Sequence, residues 1–362
     1  MCFKIINKKN DILHSYQSLI NMFYEKSSVR YILGINEWAD ELIDYLKENK
    51  LSIEGIIDDY SDREFYKGLP VVKINDITNK NVVVISCVID GKLTTAIQNL
   101  KNRGFYKVIS YLHLCLIEEK LNKIHYCHDN QYDIENYKYK YNWLYEILND
   151  DYSKDTLEYI TDFRYNFNID VMNNFKFNLD KQYFDDLIIL KDNETFVDCG
   201  GFDGKTTEQF VKLCTNYKKI YYFEPSKLYF EKSLDNLKDY QNIIFFNEGT
   251  FKENAQLKFL TKGSESAISE NGEDVISVVK LDDVIEDEVT YIKMDVEGVE
   301  YDSLIGAEKI IRKYKPKLAI CVYHNQKDFW RIPELVLSYN KNYRVYLRHY
   351  TEGILETVMY FL

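Results

Sequence analysis

The chain has 362 residues, 46% of them hydrophobic and 29% charged, which is enough for two α/β units with substantial cores and typical of a globular protein. Its net charge of −12 argues against a nucleic-acid partner, because phosphate binding needs a positive footprint and no dense Lys/Arg block supplies one. Seven scattered cysteines without a C-x-x-C pair indicate neither a disulfide framework nor a zinc site; with no signal-type apolar core and no apolar run of about 18 residues, the expected location is the cytoplasm, away from any membrane.

In chain order, residues 1–27 are expected to form an amphipathic helix with Ile12, Leu19, Ile20 and Phe23 on one side. From Val29 the pattern becomes strand, turn and helix: VRYILG, a helix from about Glu37 to Asn49, LSIEGIIDDY, GLPVVK, NVVVISCVI, a helix over Thr94–Arg103 and KVIS. Residues 1–110 therefore read as a Rossmann-like domain. Its first turn carries Gly34 but lacks the later glycines of G-x-G-x-x-G, and Ile35 and Trp38 would crowd a pyrophosphate; Asp58 and Asp59 stand where a ribose-binding acid would be. A domain without nucleotide is the preferred reading, a degenerate site the other. The order of its segments resembles the small N-terminal domain of some sugar-modifying acyltransferases, also fused to certain methyltransferases.

Residues 111–183, rich in Tyr, Asn, Asp and Lys, read as a helical connector, with WLYEILND and KDTLEYITDFRYNF as its clearest helices. His125, Cys127 and His128 lie close together in it, but with no second cluster they are expected to be local sequence and not metal ligands.

The second unit, from about Phe184 to the end, is organised around TFVDCGGFDGKTTEQF. An apolar strand ends at Asp198, Gly200 and Gly204 clear a tight turn, and a helix follows. The strands KKIYYFEPS, NIIFFNEG, VTYIKMDVEG and KLAICVYHN follow in turn, with AQLKFL and GSESAIS as an excursion and YRVYLRHY and ETVMYFL as a terminal hairpin. Polar side chains recur at the ends of successive strands: Asp198, Glu224, Asn247, Asp295 and His324. In an open α/β sheet such ends face one crevice.

Two ligands compete for that crevice. A P-loop is suggested by Gly204-Lys205-Thr206, but its required earlier glycine is Cys199, and Asp198 would stand next to the phosphates. S-adenosylmethionine suits the residues better: Asp198 for the methionine ammonium, Gly200 and Gly204 against the nucleoside, and Glu224, 26 residues after Asp198, for two ribose hydroxyls.

VDCGGFDGKTTEQF, YYFEPS, LDDVI, YIKMDVEGVEYDSLIGA and AICVYHNQKDFWRIPELV together resemble the FkbM family of S-adenosylmethionine-dependent methyltransferases over residues 184–362. The resemblance implies an α/β fold with a seven-stranded class I methyltransferase sheet and O-methylation of a sugar or other small hydroxylated metabolite, with a nucleotide-linked sugar of a surface polysaccharide pathway as the best candidate. Cys199 and the Gly-Gly after it depart from the commoner D-x-G-A-N/F loop of that family.

Direct in-line transfer would need a positioned hydroxyl and a base. His324 and Asp295 are the candidates, His324 having the more suitable ordinary pKa and Asp295 alternatively binding the methionine end or holding the histidine. Asn247 is a further cofactor candidate. Glu297, Arg331, Arg348 and His349 are candidate substrate contacts, Arg being suited to phosphate. No metal is assigned, although two carboxylates near one hydroxyl site are a pattern that can hold a divalent ion. Ser264, Ser266 and Ser269 are candidates for a polar lid, Trp330 and Pro333 are expected to pack the tail, and homo-oligomer formation is left open. A non-catalytic binding protein and an NAD- or ATP-dependent sugar-modifying enzyme are the alternatives.

Overall fold

A computed structural model describes residues 3–4, 9–121, 125–260, 267–268, 272 and 274–362. The side chains of His125, Cys127 and His128, and the proposed lid at Ser264, Ser266 and Ser269, lie outside the described residues.

After α1 (Lys9–Tyr24), the first unit forms a six-stranded sheet from β1 (Arg30–Leu33), β2 (Gly55–Ile57), β3 (Phe65–Tyr66), β4 (Leu69–Val72), β5 (Val83–Ser86) and β6 (Val108–Ser110). Its order is β3-β4-β2-β1-β5-β6, parallel except at β3, which pairs antiparallel with β4. Helices α2 (Glu37–Glu48) and α3 (Leu93–Asn102) are its crossovers. Ala39, Leu42, Ile43 and Leu46 of α2 are buried at the three-and-four spacing that one helix face requires, and Asn36 caps that helix by accepting from Ala39 N at 3.0 Å.

The connecting segment is helical, with α4 (Tyr111–Cys115), α5 (His125–Asn136), α6 (Lys138–Ile147) and α7 (Asp151–Asn166). Asp150 caps α7 by accepting from Ser153 N at 2.7 Å. Trp330 packs on this segment, with its ring 5.1 Å from that of Tyr137 and its Nε1 donating to Asp133.

The second unit contains β7 (Thr195–Cys199), α8 (Lys205–Leu213), β8 (Lys219–Phe223), α9 (Lys227–Asn236) and β9 (Ile243–Phe246). An excursion follows: β10 (Gly249–Thr250), β11 (Ala255–Leu260), β12 (Ala267–Ile268) and β13 (Asp274–Val279) make a separate small sheet. The chain then runs through α10 (Leu281–Val284), β14 (Tyr291–Met294), α11 (Glu300–Ile305), α12 (Glu308–Tyr314), β15 (Lys317–Cys321), α13 (Asp328–Tyr339), β16 (Val345–His349) and β17 (Thr357–Phe361). The seven-stranded sheet has the order β16-β17-β15-β14-β7-β8-β9. Only β17 runs against its neighbours, inserted between β15 and β16. The strand order reverses between β7 and β14, and the crevice of an open sheet lies at such a point.

Helices α11 and α12 are separated at Gly306, where a Cβ would lie 2.0 Å from the Phe251 carbonyl oxygen. The two faces of the seven-stranded sheet pack into different cores. Val197, Ile292 and Ile320 join a core continuous with the first unit and the connector, while Phe196, Tyr291 and Tyr360 join one with Phe210 of α8. Among the described residues no helix is long and apolar enough to cross a membrane.

Candidate functional site

The glycine turn after β7 is shaped by its neighbours. Gly200 has φ +75°, and a Cβ there would lie 1.8 Å from the Asp295 carbonyl oxygen; at Gly201 a Cβ would lie 2.0 Å from the Tyr222 ring. Glycine is therefore needed here for the turn to lie flat against the end of β14 and the side of β8. The N–H groups of Gly200 and Gly201 both donate to Phe223 O (3.0 and 2.9 Å), Phe202 N donates to Glu224 (2.9 Å) and Gly204 N to Gly201 O (2.9 Å). A phosphate nest needs such donors free, and Lys205 is turned to Asp203 at 2.9 Å. The turn is not a P-loop.

Asp198, expected at the methionine ammonium, lies under the turn. Its side chain is fully buried beneath the turn, accepting from Thr207 Oγ1 at 2.7 Å and lying 3.1 Å from Lys293 Nζ. Lys293 is its register partner on β14, only 2% exposed, and also donates to Cys199 O and Gly200 O. Burial would depress this ammonium, but Asp198 and Asp295 outweigh it and hold its pKa above the ordinary lysine value. Asp198 thus anchors the turn from below through an ion pair.

Glu224, just beyond β8, has each oxygen held by one backbone donor, Phe202 N at 2.9 Å and Ser226 N at 2.8 Å. Burial is the main cause that pushes its pKa up to about 7. Asn247, beyond β9, donates to Glu224 O at 2.9 Å and Pro225 O at 3.2 Å, which fixes the loop carrying that acid.

The ends of β14 and β15 bring four groups together. His324, 4% exposed, has Nδ1 2.8 Å from Glu300 Oε1 and Nε2 3.2 Å from Glu297 Oε2 and 3.7 Å from Asp295 Oδ1. Burial opposes the imidazolium, yet Glu300 and Glu297 raise its pKa well above the usual histidine value. Burial likewise disfavours ionised Asp295, but Lys293 and His324 hold its pKa below the ordinary range. Glu297, with φ +56°, is pushed up to about 6, mainly by burial. Asp295, Glu297 and His324 offer ligand atoms all within 4.8 Å of one another, a spacing a small cation can bridge; protonation of His324 satisfies the same carboxylates without one.

Three residues at this end carry no local sequence signal. Tyr183, in a left-handed conformation at the end of the connector, donates to Asp295 Oδ2 at 2.7 Å, and Tyr323 donates to Asp295 Oδ1 at 3.3 Å. Glu356, just before β17, accepts from Gln182; burial and then the charge of Asp295 push its pKa up to about 7.

The candidate substrate contacts other than Glu297 are committed elsewhere. Arg331 pairs with Asp328 and lies 4.8 Å over the Tyr301 ring. Asp328 is in turn bound by Asn325, whose Nδ2 also donates to Gly298 O, so Arg331 braces the loop beneath His324. Arg348 donates to Asp150 at 2.7 Å and Ser153 at 2.8 Å, locking the edge strand β16 to the connector. His349 is buried against Thr357 and Thr351, and burial lowers its pKa to about 3. Both line a cavity of about 540 Å³ between connector and sheet edge, together with Tyr152, Lys176, Asp185 and Tyr350.

A parallel sheet with one reversed strand in the sixth-seventh-fifth order is the arrangement of the class I Rossmann-like methyltransferase fold. Residues 198–352 match the family model of the methyltransferase FkbM domain. That match points to S-adenosylmethionine as the cofactor. The whole chain is similar in fold to the crystal structure of methyltransferase FkbM from Methylobacillus flagellatus, with 23% identity, a TM-score of 0.73 and coverage of 98% of this chain and 99% of that one. Lesser similarity extends to an rRNA methylase from Streptococcus thermophilus (18% identity, 48% of this chain and 87% of that one, TM-score 0.33). Fibrillarin from Aeropyrum pernix, solved with S-adenosylmethionine, is similar at 12% identity over 53% of this chain and 76% of that one, also with a TM-score of 0.33. No curated protein matches the sequence.

Proposed function

We propose that the chain O-methylates a hydroxyl of a sugar or nucleotide-linked sugar, within a cytoplasmic pathway that builds a surface polysaccharide. The observation that carries this reading is the crevice end formed by Asp295, Glu297, His324, Tyr183 and Tyr323, where carboxylates and phenol hydroxyls surround one buried imidazole. Such a lining suits a polyhydroxylated acceptor, because each ring hydroxyl needs a partner once it leaves water.

The residues fit the cofactor. Glu224 and Asn247 would hold the nucleoside, with Glu224 accepting from the ribose hydroxyls, and Asp295 would face the cationic methionine end, along the turn from Gly200 to Gly204. When bound, S-adenosylmethionine supplies a methyl group already activated on a sulfonium, so that transfer is direct, in line and free of a covalent enzyme intermediate.

His324 Nε2 takes the proton of the acceptor hydroxyl as the new O–C bond forms. Glu300, 2.8 Å from Nδ1, stabilises the resulting imidazolium by its charge, while Asp295 and Glu297 orient the hydroxyl and the ring. The test incubates the purified protein with trideuteromethyl cofactor and a panel of nucleotide sugars, followed by mass spectrometry of the products. A labelled methyl on a sugar hydroxyl supports the reading. Labelling on a nucleobase or an amine, or S-adenosylhomocysteine formation with a non-sugar acceptor alone, would overturn the sugar assignment.

A further inference from the structure

The first sheet has its own switch point, between β1 and β5, and a ligand of a Rossmann-like unit would lie outside the carboxyl ends of those strands. This chain's own residues 351–354, from the connection between β16 and β17, dock on one wall of that space, the loop after β5 and the first turn of α3. Glu352 N donates to Gly91 O at 2.7 Å and Ile354 N to Ile89 O at 3.3 Å. Gly353 lies so close to the loop after β5 that a Cβ would stand 2.3 Å from the Asp90 carbonyl.

The Glu352 carboxylate sits at the first turn of α3. One oxygen accepts from Thr95 N (2.7 Å) and Thr94 Oγ1 (3.0 Å), the other from Thr95 Oγ1 (2.7 Å). Lys92, the helix's own N-cap residue, makes no side-chain cap, so the cap is supplied by Glu352, 258 residues beyond Thr94. A buried carboxylate on helix N-terminal donors occupies the position and supplies the charge that a bound phosphate would. The acids once available for a ribose are also committed: Asp58 accepts from Tyr60 N and Ser61 N, and Asp59 from Ile74 N while lying 3.5 Å from Arg103.

The docked loop is compact. Thr351 Oγ1 donates to Leu355 O at 2.8 Å, Tyr350 N to Glu356 O at 3.1 Å, and Arg164 of α7 to Ile354 O at 3.1 Å. Four residues after Glu352 comes Glu356, which accepts from Gln182; Gln182 also donates to the Tyr183 hydroxyl at 2.9 Å, and that hydroxyl donates to Asp295 at 2.7 Å.

We propose that the crevice of the first unit is a socket for this chain's residues 351–354, and that Glu352, held there in place of a phosphate, is a positioning residue that sets Glu356 at the acceptor end of the methyltransferase crevice. The proposal rests on the methyltransferase reading of that crevice. The first unit thereby serves the second as a brace, not as a nucleotide-binding module.

The test uses the full chain and its Glu352→Gln, Glu352→Asp and Gly353→Ala variants. Hydrogen exchange is followed by mass spectrometry, alongside calorimetry with S-adenosylhomocysteine and with ADP. In Glu352→Gln and Gly353→Ala, exchange over 88–97 and 350–357 should rise by about tenfold or more, with 293–298 unchanged and S-adenosylhomocysteine affinity within about twofold. Glu352→Asp, which keeps the carboxylate, should restore much of the protection. A uniform rise across the chain would mean simple destabilisation and overturn the positioning role, as would unchanged exchange at 350–357. ADP bound to the wild-type chain, with protection confined to 88–97, would also overturn it. Failure of S-adenosylhomocysteine to bind the wild type would instead strike the methyltransferase reading and leave the exchange result standing.

Discussion

Glu300 Oε1 lies 2.8 Å from His324 Nδ1, and this contact decides which ring nitrogen faces the crevice. Glu300 is fully buried and is itself held by Val296 N at 3.0 Å, so the imidazole is oriented from behind with Nε2 toward Asp295 and Glu297. Carboxylates on both sides favour the imidazolium, which cannot accept a proton.

The pH dependence follows from that direction. Neutral His324 is populated only as pH rises through its raised folded pKa, so turnover should climb on the alkaline side, beyond the ordinary histidine range of about 6.5. His324→Gln should lower kcat by about 100-fold or more, and Glu300→Gln should move the rising limb to lower pH. The same raised pKa makes a stability contribution that is fully present below about pH 6.5 and lost as pH rises through the folded value. Denaturant titrations at several pH values should therefore show the wild type losing stability on the alkaline side more than His324→Gln. A rate limb centred at the ordinary histidine value, or one unmoved in Glu300→Gln, would count against the dyad.

Glu224 should make cofactor affinity depend on pH in a different window. Its free-state pKa of about 7 leaves it largely protonated in mild acid, whereas hydroxyl donors from a ribose favour the carboxylate. Affinity for S-adenosylhomocysteine should strengthen by about tenfold from about pH 6 to about pH 8 and then level off. Glu224→Gln should bind more weakly with a flat profile. Calorimetry across that range checks both, and a wild-type profile that is already flat would remove Glu224 from the nucleoside contacts.

A chelator separates the two ways of satisfying Asp295, Glu297 and His324. If the proton on His324 is what relieves the carboxylates, turnover after dialysis against EDTA should stay within about twofold of the untreated rate, and added magnesium or manganese should change it no more. Loss of turnover restored by one divalent ion would make these three residues metal ligands and withdraw the base role from His324.

Much of the site is legible in the sequence because the βα repeat carries its own phase: an apolar run, then a polar residue, at Glu224, Asn247, Asp295 and His324. Asp198 obeys the same phase, yet it lies one residue inside its strand, and the pleat turns it under the sheet's end toward Lys293. The lysine was visible as a lone charge between Ile292 and Met294, a pattern that in a buried strand demands an acidic register partner. Arg348 and His349 gave no such hint, since their partners Asp150, Thr357 and Thr351 are brought to them by the connector and by β17. Tyr183 and Glu352 meet partners more than a hundred residues away, so no local periodicity could have paired them.

The Lys293–Asp198 pair is the most direct stability test of the turn. Both groups are buried, and replacing one of them leaves the other charge without its counterion. Lys293→Met should cost about 3–5 kcal/mol in a denaturant titration, because Asp198 would keep only its Thr207 bond and the Cys199 and Gly200 carbonyls would lose a donor. The double variant Asp198→Asn/Lys293→Met should recover part of that loss, since no uncompensated charge remains. Cofactor affinity should fall in both, because the turn that these residues underpin also holds Glu224 through Phe202 N. A Lys293→Met protein as stable as the wild type would mean that the pair shapes the turn without supporting it.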